Sequence, residues 1–242
     1  MTDLTARASQ RFLSGDLAGA IEDARDRVAR GDAPPASLAL AAVADGAWGP
    51  ALLAAEAALL AVPRDPLARW CRAAARLGLG DRAGALADWS LLLDEDPDAR
   101  TAWKDRAVLR ALLGDRAGAL SDLARLCELE AGDVVPRLWI AGLGGEREPL
   151  EPFARGSDWS ADLARLVLGR AAPDELLGRL PAARARTRTC QVQGYAGLVL
   201  ERDGAPAAAF ARYEACAATC VWHFLTHLWA RERLVDRAAG RP

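Results

Sequence analysis

The chain has 242 residues, 52% of them hydrophobic and 26% charged, with a formal net charge of −2 and a pI near 5.8. This charge balance lacks the basic surplus that nucleic-acid or anionic-membrane binding needs. The longest apolar stretch, around residues 51–62, is broken by Glu56 and too short to span a bilayer.

A chain of this length buries roughly 70–75% of its unfolded surface, so a core forms without disulfides or metals. The five cysteines (71, 127, 190, 216 and 220) are odd in number and widely spread, which fits a reduced, cytoplasmic setting. The first ten residues carry no apolar core of a secretory signal. Lys104 is the only lysine, Asn is absent, and Ile occurs only at 21 and 140. This avoidance of AT-rich codons reads as a GC-rich bacterial genome.

In chain order, a Gly followed five residues later by a small residue returns again and again. Gly15-Asp16 leads to Ala20 and Ala24, and Gly46 leads to Ala51, Ala55 and Pro63. Gly80 leads to Ala85, Trp89 and Pro97, and Gly114 to Ala119, Leu123 and Ala131. The seven residues Gly80–Leu86 recur unchanged at Gly114–Leu120, 34 residues on. Each Gly suits the positive φ that ends one helix, and the following Asp caps the next. The small residue lets two helices cross closely, and the large residue one turn later fills the gap beside the crossing. By this phase Trp89 and Trp103 belong to the interhelical core.

From 132 to 183 the pattern loosens, because Gly142, Gly144, Gly145, Pro149 and Pro152 interrupt any long helix. Asp122–Leu126 nevertheless recurs as Asp162–Leu166, so one degenerate repeat is expected here. Its first helix spans about Val134–Leu143 and its second about Trp159–Gly169, capped by Ser157-Asp158. A last copy starts at Gly204, with Ala209 and Tyr213, and Gly197 takes the small position of its first helix. A closing helix is expected over Cys220–Ala238.

The period and the in-phase residues resemble the tetratricopeptide (TPR) repeat. The resemblance implies an all-α, right-handed solenoid of about six helical hairpins with a C-terminal capping helix. Three segments follow: repeats over 1–131, the degenerate repeat over 132–183, and a final repeat and cap over 184–242. The run Trp159-x3-Leu163-Ala-Arg-Leu166-x2-Gly169, Asp174-Glu-Leu-Leu177 and Cys190-x4-Tyr195-x-Gly197 is similar to the C-terminal block of bacterial TPR lipoproteins of the NlpI type. Phe224-x5-Ala230-x3-Leu234 resembles their last helix. Those relatives are envelope adaptors, but their lipid-bearing Cys has no counterpart here.

Such repeats hold partners in a concave groove lined by first helices. Trp70 takes a groove position of a first helix expected over Pro66–Gly78, with ordinary packing between repeats as the alternative for its indole, and Lys104 takes the same position one repeat later. Leu67, Ala74 and Val108 would widen this into an apolar floor with a cationic rim, suited to a protein or peptide segment. Chaperone-tail-binding repeats use Lys and Asn in the groove, and the lack of Asn argues against that ligand.

Chemistry is sparse. The histidines, His223 and His227, stand four apart, preceded at similar spacing by Cys216 and Cys220. These four could ligate zinc, although the same positions suit packing. Gly142-Leu-Gly-Gly145 lacks the Lys-Ser/Thr ending of a phosphate loop, and no third group is evident to orient a Cys–His nucleophile. Arg184, Arg186 and Arg188 form a small basic run, read either as solvated surface or as a dock for an acidic partner. The expectation is therefore a non-enzymatic adaptor with no catalytic residue and no cofactor. A zinc-dependent regulator and a self-associating subunit are the alternatives.

Overall fold

The computed structural model of the protein describes residues 7, 10–12, 16–221 and 225–241, and all regular structure among them is helical. The chain divides into two compact units, residues 1–109 and 110–242, with the division inside a helix. The first unit holds α1 (Leu17–Arg30), α2 (Pro35–Ala44), α3 (Trp48–Ala61), α4 (Pro66–Gly78), α5 (Arg82–Glu95) and most of α6 (Arg100–Leu112). The second continues with α7 (Arg116–Leu129), α8 (Val135–Gly142), α9 (Glu151–Ala154), α10 (Trp159–Val167) and α11 (Pro173–Gly178). It ends with α12 (Ala185–Arg202), α13 (Pro206–Ala217) and α14 (Leu225–Ala238). Helices adjacent in sequence pack as hairpins, notably α2 with α3, α4 with α5 and α12 with α13.

The hairpin turns explain the repeated Gly-Asp-Arg-Ala-Gly. Gly80 and Gly114 stand at φ +90° and +83°, where a side chain would be strained. The Asp81 and Asp115 carboxylates accept the backbone N–H of Gly84 and Gly118 at 2.8 and 2.9 Å. A Cβ on either of those glycines would lie within 2.2 Å of its own capping carboxylate. The two glycines and the Asp are thus one device. Asp16 caps α1 the same way through Gly19; Gly15 lies outside the described residues.

Behind each turn the small residues are buried to the last atom. Ala20, Ala51, Ala85, Ala119 and Ala209 are all 0% exposed, and Trp89, Leu123 and Tyr213 behind them are at most 1% exposed. Trp103 departs from the core role expected of it. It is half-buried, with its indole N–H on the Pro97 carbonyl and the Arg106 guanidinium 4.8 Å from its ring centroid. An ion network also recurs. Asp88, buried on α5, receives Arg72 at 2.6 and 3.0 Å and Arg76 at 2.8 Å from α4. Arg110 pairs with buried Asp122 at 2.7 Å one repeat later. Each buried carboxylate is compensated by donors, as its burial requires.

The degenerate repeat forms around α8 and α10, the latter capped by Asp158, which accepts the Ala161 N–H at 2.9 Å. Between them lie a 3₁₀ turn at Glu148–Leu150 and the single turn of α9. Near the end, a Cβ on Gly197 would meet the Tyr213 ring at 2.3 Å. The Tyr213 hydroxyl donates to Glu201 at 2.6 Å and accepts from the Trp229 indole at 2.8 Å, which ties α14 onto the last hairpin. The closing helix does not include Cys220: that residue sits in a turn at φ +50°, and the described helix begins at Leu225. Phe224 lies outside the described residues.

Candidate functional site

The five residues expected to line a groove belong to α4 and α6, both first helices of their hairpins. Pro66 starts α4, and Asp65 accepts the N–H groups of Leu67 and Ala68 at 2.9 and 3.1 Å, which sets the helix phase. In that phase Leu67 is 1%, Trp70 3% and Val108 1% exposed. Ala74 and Lys104 are half-buried.

The open apolar floor expected at Trp70 is therefore corrected. The indole is covered by Phe12, whose ring centroid lies 5.4 Å away at an interplanar angle of 53°. Its N–H points at the next first helix, donating to Asp105 Oδ2 at 2.5 Å. The neighbour that binds Trp70 is thus Asp105, not the adjacent Lys104. The physical reason is satisfaction: a buried indole N–H and a buried carboxylate each need a partner, and here they supply one another.

Asp105 is a buried carboxyl. Burial pushes its carboxyl up to about 7, against the downward pull of the Trp70 hydrogen bond and the Lys104 charge. Sequence reasoning missed it, because nothing local marks an Asp at this position as internal.

The four candidate zinc ligands do not assemble among the described residues. Cys216 is buried and lies with its sulfur 3.6 Å from that of Cys190 and 3.4 Å from the Thr226 carbonyl oxygen. Cys220 is exposed, and His227 is 2% exposed. His223 lies outside the described residues. Among the described residues, no group of three His, Cys, Asp or Glu side chains is placed to hold a metal ion. The Cys190–Cys216 contact joins α12 to α13 and was not legible from spacing.

Of the basic run, Arg188 places its guanidinium 4.5 Å from the Trp159 ring centroid, and Trp159 donates to Gln191 at 2.7 Å. Arg188 thus secures α10 to α12, while Arg184 and Arg186 are exposed.

These elements define an all-α protein of TPR-like helical hairpins. No described helix is long and apolar enough to cross a membrane. No family model matches the chain, and no curated protein matches it. Among solved structures it is similar to a tetratricopeptide repeat protein from Parabacteroides merdae. The identity is 20% and the TM-score 0.46, over 94% of this chain and 97% of that one.

Proposed function

We propose that the protein is a non-enzymatic adaptor that holds a protein segment against α4 and α6. Ala74 and Lys104 make the contact, and Leu67, Trp70 and Val108 form the packed floor beneath them. The observation that carries this reading is the repeat phase realised in two successive first helices. It places Trp70 and Lys104, 34 residues apart, at equivalent positions, with Lys104 retaining part of its surface. A cation above apolar packing suits a segment that combines an acidic and an apolar side chain.

The test is capture from a lysate of the native host on immobilised wild-type and Lys104→Glu protein, compared by quantitative mass spectrometry. A partner retained by the wild type and lost on the variant, with unchanged melting temperature, supports the reading. If every captured protein binds both equally, the assignment of this face is wrong.

Self-association is the second reading, favoured by the outer face of α3. Leu53 and Leu60 are 71% and 87% exposed there, and Val62 just beyond is 55% exposed. Large aliphatic side chains this open on one helix support burial against a second copy of the chain.

A further inference from the structure

In the second unit, α7, α8 and the loop after α8 border an open recess of about 450 Å³, within the range of small-ligand sites. Leu120, Ala124 and Cys127 line it from one face of α7, and Ile140 and Pro149 complete an apolar wall. The loop borders the recess in a path that needs glycine. Gly144 has φ +83°, and a Cβ on Gly145 would sit 2.7 Å from the Ile140 side chain. The Gly145 N–H bonds back to the Ile140 carbonyl at 2.8 Å, which holds the loop against α8.

One strong polar group faces this wall. Arg137 donates one N–H to the Asp133 carbonyl at 2.6 Å and lies 5.3 Å from the Phe153 ring centroid. Both contacts fix the guanidinium while leaving most of its five donors unspent. The charged side chains that line the recess are Arg137 on the wall and Glu146 at the rim. The Arg116 guanidinium lies against Gly144, 2.8 Å from where a Cβ would stand. The Asp133 carboxylate accepts the Val135 N–H and Glu128 pairs with Arg125 at 2.9 Å, and both negative charges are felt at the Cys127 thiol, against the Arg137 charge. Glu146, exposed at the rim, opposes a second negative charge on the ligand.

We propose that this recess binds a small apolar monocarboxylate, its hydrocarbon body against Leu120, Ala124 and Ile140 and its carboxylate on Arg137. The site is independent of the partner face on α4 and α6. Cys127 forms part of the wall as a neutral thiol, since burial pushes its thiol up, and it reports occupancy.

Calorimetry with decanoate and with decanol on the full chain tests the site. A purely apolar hole would prefer the alcohol, because the carboxylate is costlier to desolvate. Decanoate is expected to bind with one-to-one saturation, at least about tenfold tighter than decanol. Arg137→Met should remove that preference, about a tenfold loss or more for decanoate, whereas Arg137→Lys keeps part of it. Ala124→Trp, at an exposed position of α7, should abolish binding of both. In a Cys220→Ser background, decanoate should slow maleimide labelling of Cys127. The proposal is overturned by absent decanoate binding at millimolar concentration, by equal affinity for decanol, or by an unchanged Cys127 labelling rate.

Discussion

Asp105→Asn isolates the cost of burying a carboxylate beside Trp70. The native state holds this proton up to about pH 7, whereas the unfolded chain releases it near the ordinary value of 3.8. Between those values the folded protein binds more protons than the unfolded one, so stability falls as pH rises from about 4 to about 7 and then levels off. A separation of about three pH units, at about 1.4 kcal/mol each, corresponds to about 4 kcal/mol as an upper bound. Asparagine keeps an oxygen that accepts the Trp70 indole N–H but carries no charge. The assay is equilibrium urea unfolding of both proteins, followed by circular dichroism from pH 4 to pH 8. Other titrating groups are common to both and cancel in the difference. Relative to wild type, the variant should gain up to about 4 kcal/mol across this window. A flat difference curve, or a variant that loses ground as pH rises, would falsify the assignment of Asp105 as a buried acid held protonated by its surroundings.

Gly84→Ala and Gly118→Ala should each destabilise by about 1 kcal/mol or more, because the new Cβ displaces the capping carboxylate. Gly49→Ala, where nothing lies within 4 Å of the added carbon, should be neutral or stabilising by roughly 0.5 kcal/mol in the same thermal melts. Trp70→Ala and Trp89→Ala should both cost about 3–5 kcal/mol in denaturant unfolding, since both indoles are buried; a Trp70 variant that melts like wild type would restore the open groove. Leu53→Glu with Leu60→Glu should reduce any concentration-dependent mass increase in light scattering and leave the helix content unchanged. In native protein a thiol reagent should modify exposed Cys220 quickly and half-buried Cys127 slowly, with Cys71, Cys190 and Cys216 reacting only in denaturant.

What could be read without coordinates was everything that depends on near neighbours in the chain. The Gly-Asp turns, the alanines at helix crossings, the span Pro66–Gly78, the Asp158 cap and the closeness of Gly197 to a large side chain follow from local spacing. Helical period, positive φ and capping act over a few residues, so the repeat phase determined them. Trp70 shows where that ends. Its phase names the direction it faces, but whether that direction is open depends on Phe12 from the first helical residues and on Asp105, 35 residues ahead. Cys216 likewise has Cys220 one turn away in sequence, yet meets Cys190, 26 residues back across a hairpin. In the recess, Arg137 gains its setting from Phe153, and the wall from α7. Each of these contacts joins residues that only the stacking of hairpins brings together, because burial leaves an indole N–H, a carboxylate or a thiol to find its partner across helices rather than along one.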